Sequence, residues 1–153
     1  TTTRHDVDLQ GKQVLVVDND LTTLRLLMLV LSPMGITVIP AQSVSEAMSI
    51  IANHPPDLLI SDIRMPIQSG HELMKWVRSR PAYQGGNIPA IALSADVTLE
   101  NIQQSIDVGF QQFLCKPFQF QYLIREVNRL LEQISNRVAV THNCALKVGS
   151  EVC

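Results

Sequence analysis

The sequence has little net charge and no apolar segment long enough to cross a bilayer. Twelve Lys and Arg residues nearly balance 14 Asp and Glu residues, which leaves a formal net charge of −2. No strong attraction to nucleic acid or to an anionic membrane surface is therefore expected. The longest apolar run, residues 24 to 31, is interrupted by Arg25 and falls far short of the roughly 20 residues that a membrane-spanning helix needs.

Cysteine is scarce, and neither cysteine nor histidine spacing predicts a metal site. Cys115, Cys144 and Cys153 are odd in number, include no CxxC pair and do not predict a disulfide framework. The four histidines are expected at the surface: His5, His54, His71 and His142. The first ten residues are polar and lack the apolar stretch of a signal peptide. These features favour a reducing, cytoplasmic location.

The chain does contain enough apolar material for one compact domain. Of its 153 residues, 46% are hydrophobic and only 17% are charged, a composition that can build a full core. After about residue 135 the helical pattern fades, and the remaining C-terminal segment is too short for a second domain. We predict an N-terminal lead-in over residues 1–11, a single domain over residues 12–135 and a tail or linker over residues 136–153.

Five short apolar runs alternate with amphipathic segments through this domain. Strands are predicted at residues 13–17, 36–39, 57–61, 88–93 and 112–115. Helices are predicted at residues 21–34, from 43 to about 53, around 73–77, at about 98–107 and at 120–134. Ser43 and Glu46 predict a capping box at the start of the second helix. Because parallel strands need crossover connections, the alternation predicts a doubly wound α/β domain with a five-stranded parallel sheet.

Four of the five predicted strands end in polar side chains that suit phosphate chemistry. They are Asp18 with its neighbours Asn19 and Asp20, then Asp62, Ser94 and Lys116. Ligands of doubly wound sheets bind outside the carboxyl ends of the strands, so we expect these side chains to lie together. Clustered carboxylates are tolerable only if a cation binds among them or one is protonated. Oxygen ligands in this number favour Mg²⁺ over zinc.

Such a site suits phosphoryl transfer. A metal ion and Lys116 can offset charge on the phosphoryl oxygens, while the Ser94 hydroxyl donates a hydrogen bond. Asp62 would be the nucleophile, because an ionised carboxylate attacks phosphorus without a separate base. An alternative stays open: Asp18 and Asp20 have the Asp-x-Asp spacing of the nucleophile pair in magnesium-dependent phosphatases, which would turn over a phosphomonoester repeatedly.

Four segments resemble, in the right order, the signatures of response regulator receiver domains. They are VLVVD at 14–18, SDIRMP at 61–66 followed by Gly70, ALSA at 92–95 and CKPF at 115–118. The resemblance covers roughly residues 12 to 135. It implies a flavodoxin-like (βα)5 fold with strand order 2-1-3-4-5. It also implies a phosphoacceptor switch in a cytoplasmic two-component phosphorelay, which is not an enzyme beyond its own phosphorylation and slow autodephosphorylation.

The resemblance implies a role for each strand-end residue. Asp62 would be the phosphoacceptor, and the phosphoryl group would be bound by Ser94 and Lys116. Asp18, Asp62 and the backbone carbonyl of Arg64 would hold Mg²⁺, for which Mn²⁺ could substitute. Asn19 or Asp20 is a further candidate ligand.

One position departs from the family pattern. Receivers usually carry two acids after the first strand, whereas the second position here is Asn19, which offers an oxygen but no charge. Asp20 could restore the charge, directly or through water. The departure keeps a second interpretation open, in which the domain is a pseudo-receiver that acts as a scaffold without phosphorylation.

The resemblance also implies a switch and partners. The Lys116–Pro117 peptide bond would be cis, and Phe113 would be an aromatic switch residue coupled to Ser94. The phosphodonor would be a histidine kinase or a histidine phosphotransfer protein. A receiver dimer could form through the face of helix 4, strand 5 and helix 5. Leu9-Gln10-Gly11 is similar to the lead-in of receivers embedded in hybrid sensor histidine kinases.

Overall fold

Five strands and five helices alternate along the chain. The structure is a computed structural model that describes residues 9 to 135. The strands are β1 (Gln13–Val17), β2 (Thr37–Ala41), β3 (Leu58–Asp62), β4 (Ala90–Ser94) and β5 (Gln112–Cys115). The helices are α1 (Leu21–Leu31), α2 (Val44–Asn53), α3 (Gly70–Arg78), α4 (Leu99–Val108) and α5 (Phe120–Ser135). Short 3₁₀ turns occupy Ser32–Met34 and Ala82–Gln84.

All five strands are parallel and lie in the order β2-β1-β3-β4-β5, which confirms the predicted doubly wound sheet. The register places Val17 opposite Ser61, Asp62 opposite Leu93, and Ser94 opposite Cys115. The carboxyl ends of β1, β3, β4 and β5 therefore meet at one edge of the sheet. The chain order reverses between β1 and β3, so this edge is the expected place for a ligand.

Side chains that alternate along each central strand build one core on each face of the sheet. One face packs against α2, α3 and α4, with Leu15, Leu59 and Ala92 pointing toward them. The other face packs against α1 and α5 and includes Val16 and Ile60. β1, β3 and β4 are thus covered on both sides, which explains why they appear in the sequence as continuous apolar runs.

Several helix ends differ from the pattern prediction. α1 stops at Leu31 and continues only as a 3₁₀ turn, since Pro33 and the left-handed Gly35 end it. Ser43 caps α2 as predicted, because its hydroxyl accepts the N–H of Glu46, but the Glu46 carboxylate accepts the N–H of Gln42 instead of that of Ser43. The complete capping box lies at the start of α3, between Ser69 and Glu72. None of the helices in residues 9 to 135 combines the length and the apolarity that crossing a membrane requires.

Candidate functional site

The sheet edge brings Asp18, Asp62 and Lys116 together. Asp18 follows β1 directly and Asp62 ends β3, and they are 1% and 6% exposed. Lys116 follows β5, and its Nζ lies 2.7 Å from Oδ2 of Asp18 and 3.4 Å from Oδ2 of Asp62. One ammonium group therefore faces two buried carboxylates. We call these three residues the acid–lysine cluster.

Ser94 lies at the end of the neighbouring strand β4. Its carbonyl accepts a hydrogen bond of 2.9 Å from the backbone N–H of Lys116, so the two strand ends are joined at this point. Ser94 is buried, and its hydroxyl oxygen accepts the backbone N–H of Asp96 at 3.1 Å. The Lys116–Pro117 peptide bond is cis, as the resemblance implies.

The electrostatics of the acid–lysine cluster favour a further cation. Burial, and then the charge of Asp18, raise the pKa of Asp62, although Lys116 and the N–H of Ile63 oppose them. Burial works to lower the pKa of Lys116, but its hydrogen bond to Asp18 and the two carboxylate charges outweigh burial and raise it. The two acids exceed the one ammonium group by one negative charge, which a divalent ion would offset.

Magnesium fits the donor set, although few side chains are involved. Within residues 9 to 135, no three His, Cys, Asp or Glu side chains lie close enough together to form a metal site. Asp18 and Asp62 would supply the charge, and Mg²⁺ commonly binds through one or two carboxylates while it keeps several waters. Arg64, whose carbonyl is the third candidate ligand, lies in the loop that directly follows β3.

The two further candidate metal ligands, Asn19 and Asp20, differ in position. Asp20 caps α1, where its carboxylate accepts the N–H of Thr22 at 3.0 Å and the hydroxyl of Thr23 at 3.2 Å. Its own backbone N–H donates to Oδ1 of Asp18 at 2.8 Å, which orients that acid. Asn19 is exposed beside the edge. Because the Asp20 carboxylate serves the cap, its position gives no support to an Asp18 and Asp20 nucleophile pair.

The loop between β3 and α3 is held tightly against Asp62. A Cβ on Gly70 would lie only 2.3 Å from the carbonyl oxygen of Asp62, so only glycine fits there. The N–H of Gly70 donates to the carbonyl of Ile63 at 2.8 Å. In the same loop Ile67 is 99% exposed with a φ of 72°, a strained conformation for a β-branched residue.

Sequence reasoning missed an ion pair across the mouth of the site. The guanidinium of Arg64, in the loop after β3, pairs with the carboxylate of Asp96, in the loop after β4. The hydrogen bond from Arg64, followed by bonds from the backbone and side chain of Thr98, lowers the pKa of Asp96. No spacing rule connects residues from different loops, so the sequence carried no signal for this pair.

The structure places Phe113, His71 and Cys115 in different surroundings. Phe113 is fully buried in β5, opposite Ala92, and its switch role stays a prediction. His71 is 7% exposed, so its predicted surface position is wrong. Cys115 ends β5 and is only half-buried. The other two cysteines, with His5 and His142, lie outside the described residues.

Comparisons with a family model and with individual proteins point to the same family. The response regulator receiver domain model matches residues 14–128. An uncharacterized 14.6 kDa protein in the sodA1 3′ region of Leptolyngbya boryana is 40% identical over 116 residues, which is 76% of this chain and 87% of that protein. The response regulator MprA of a Mycobacterium species (strain KMS) is 32% identical over 123 residues, which is 80% of this chain.

Solved structures agree with the sequence matches. The receiver domain of the Francisella response regulator 1452 superposes with a TM-score of 0.74 and 31% identity, over 81% of this chain and 99% of that one. By contrast, this chain spans 52% of the length of MprA. The similarity therefore concerns one domain of that longer relative.

Proposed function

The chain belongs to the response regulator receiver domain family, and we propose that it is a phosphoacceptor switch in which Asp62 takes a phosphoryl group from a phosphohistidine. Domains of this family are signalling switches of two-component systems. The donor would be a histidine kinase or a histidine phosphotransfer protein, and Mg²⁺ would assist. The observation that carries the proposal is the buried carboxylate of Asp62, which faces the Lys116 ammonium at 3.4 Å beside the acid Asp18.

The residues divide the chemistry among them. An Asp62 carboxylate oxygen attacks phosphorus, the P–N bond of the donor breaks, and the histidine ring leaves with the bonding electrons. Lys116 offsets charge on the phosphoryl oxygens, and the Ser94 hydroxyl donates a hydrogen bond to one of them. Mg²⁺, held by Asp18, Asp62 and the Arg64 carbonyl, would neutralise charge on the same oxygens.

The apolar surface beside Lys116 supports docking of a protein donor. An open cavity of about 380 Å³ is lined by Leu26 of α1 and by Pro117 and Phe118 in the loop after β5, together with Lys116 itself. A protein that covered this cavity would exclude water next to the phosphoacceptor. A protein partner would thereby both deliver the phosphoryl group and protect the transfer.

Phosphorylation by a small acyl phosphate tests the proposal directly. The full chain, incubated with acetyl phosphate and Mg²⁺, should gain one phosphoryl group by intact mass. Asp62→Asn should abolish the gain, and chelation of Mg²⁺ should slow it by at least tenfold. The exposed Asp107→Asn is the matched control and should be phosphorylated like the wild type. Labelling that persists in Asp62→Asn would contradict the assignment, and no labelling of the wild type would favour the scaffold interpretation.

A further inference from the structure

A series of hydrogen bonds joins Ser94, a candidate phosphoryl-binding residue, to α4. The Ser94 hydroxyl oxygen accepts the Asp96 N–H at 3.1 Å and the side-chain amide of Asn101 at 3.4 Å. Asn101 lies in the first turn of α4, and its amide also donates to the carbonyl of Asp96 at 2.7 Å. Two donors therefore hold the Ser94 oxygen on the α4 side.

The series of hydrogen bonds continues through the protein interior to α3. The hydroxyl of Ser105 donates to the backbone carbonyl of Asn101 at 2.9 Å, and Nε2 of His71 lies 2.7 Å from the same hydroxyl oxygen. A carbonyl can only accept, so the Ser105 hydroxyl is the donor in its bond to Asn101. With the hydroxyl proton in that bond, the proton between Ser105 and His71 lies on Nε2, and we assign this tautomer to the ring.

This series of hydrogen bonds does not depend on the charge of His71. Burial, followed by the positive charge of Lys75, lowers the pKa of His71, so the ring is neutral near pH 7. In the neutral ring with a proton on Nε2, the donor to Ser105 is already present. Protonation of Nδ1 would leave that donor in place, so the contact is a fixed link rather than a pH switch.

Both ends of the link are anchored to strand ends of the site. His71 follows Gly70, whose close packing against the Asp62 carbonyl ties the start of α3 to the end of β3. Asn101 ties the start of α4 to Ser94, at the end of β4. The hydrogen bonds from His71 to Asn101 thus close a loop of contacts between the phosphoacceptor and the hydroxyl that would bind its phosphoryl group.

We propose that Asn101, whose backbone is tied through Ser105 to His71, is a positioning residue whose side chain retains the Ser94 hydroxyl on the α4 side until a phosphoryl group on Asp62 competes for it. This inference rests on the proposed phosphorylation of Asp62. Movement of the Ser94 hydroxyl toward the phosphoryl group breaks the bonds that its oxygen accepts from the Asp96 N–H and, more weakly, from Asn101, whose amide keeps its shorter bond to the Asp96 carbonyl. The retained hydroxyl therefore favours the unphosphorylated state.

Binding of a phosphoryl mimic measures this competition. The full chain is titrated with beryllium fluoride in the presence of Mg²⁺, and binding is followed by amide NMR shifts. Asn101→Ala should lower the half-saturating concentration about fivefold, since a neutral hydrogen bond contributes on the order of 1 kcal/mol. Gln103→Ala, on the exposed side of the same helix, is the matched control and should bind like the wild type.

Substitutions of His71, at the other end of the series of hydrogen bonds, test the link itself. His71→Leu should act in the same direction as Asn101→Ala, whereas His71→Gln, which keeps a donor for Ser105, should restore wild-type binding. A general loss of packing would not distinguish Leu from Gln in this way. Unchanged binding in Asn101→Ala, or an equal shift in Gln103→Ala, would overturn the inference.

A second readout does not depend on phosphorylation. Nitrogen shifts of the His71 ring should report the Nε2-protonated tautomer, and that proton should exchange with solvent at least tenfold faster in Ser105→Ala. The opposite tautomer, or unchanged exchange, overturns the link whatever the mimic does. If the link is present but the wild type binds no mimic, the proposed function has failed and the competition proposed for Asn101 fails with it.

Discussion

The carboxyl group of Asp62 is buried beside a second acid and a single ammonium group. Burial and the charge of Asp18 raise its pKa above the ordinary value for an aspartic acid. The folded protein therefore binds a proton at Asp62 more tightly than the unfolded chain does. Stability then falls as the pH rises through the window between the ordinary pKa and the raised one, because the unfolded state binds fewer protons there.

Asp62→Asn should accordingly raise the free energy of unfolding at pH 7 in the absence of divalent ions. The gain should shrink as the pH falls through that window and vanish below the ordinary aspartic acid pKa, where Asp62 is neutral in both states. Urea denaturation across a pH series, with a chelator present, measures it. The exposed Asp107→Asn should show no such trend. A variant that is less stable than the wild type at pH 7 would contradict this account.

Of all the features of the site, the identity of its residues was the one that the sequence predicted best. Asp18, Asp62, Ser94 and Lys116 each follow or end a strand, as the apolar runs indicated, because a buried strand can end only where the chain meets polar groups or solvent. The burial of His71 was not predictable. A histidine among polar neighbours at a helix start has no feature that distinguishes a surface position from a pairing with Ser105 on another helix.

At the scale of elements, the start of α3 is fixed by backbone contact rather than by side chains. Gly70 packs where a Cβ would lie 2.3 Å from the Asp62 carbonyl oxygen, closer than real contacts allow. Either β3 or α3 must move to admit a larger residue. Movement of that kind would displace Asp62 as well as the helix.

Gly70→Ala should destabilise the protein by about 1 to 3 kcal/mol, the usual cost of overpacking, and should slow phosphorylation of Asp62. Gly11→Ala is an informative comparison, because Gly11 has a left-handed φ of 81° but no atom within 4 Å of its added Cβ. It should lose stability through backbone strain alone and keep the wild-type phosphorylation rate. Urea denaturation and intact mass measure both effects, and equal rates in the two variants would contradict the prediction.

The ends of the elements were less predictable than their order. The pattern placed the second strand at residues 36–39, whereas β2 runs from Thr37 to Ala41 and includes Pro40. Proline interrupts a strand pattern, yet it is tolerated here because β2 is an edge strand with one unpaired side. Only the strand order, which is a property of the assembled sheet, shows that this edge is free.

On the scale of the whole molecule, the acid–lysine cluster exists only when the sheet is assembled. Asp18 follows β1, Asp62 ends β3, and Lys116 follows β5. An ion that binds this cluster binds the folded state and not the unfolded chain. Such binding stabilises the entire domain by mass action.

Mg²⁺ should therefore raise the free energy of unfolding, by about 2.7 kcal/mol at a concentration one hundred times its dissociation constant. Asp18→Asn, which keeps the shape but removes a charged ligand, should lose most of this gain. Urea denaturation with Mg²⁺, against NaCl of matched ionic strength, measures the effect. An equal gain in Asp18→Asn would place the ion elsewhere on the protein.

The parallel α/β architecture and the identity of the strand-end groups could be predicted from the amino-acid sequence without coordinates. Helical periodicity, apolar strand runs and breaking residues act over a few neighbouring positions, so local patterns reveal them. The order of the strands was accessible only through resemblance to a family. The roles of Asp62, Ser94 and Lys116 were predicted from their chemistry and from the same resemblance, and they stay predictions.

Which polar groups meet became known only from the folded chain. Folding pairs Lys116 more closely with Asp18 than with Asp62, and it joins Arg64 to Asp96 across two loops. It also links α3 to α4 through a buried histidine. These contacts join residues that are distant along the chain, and their distances depend on how the helices pack against the two faces of the sheet.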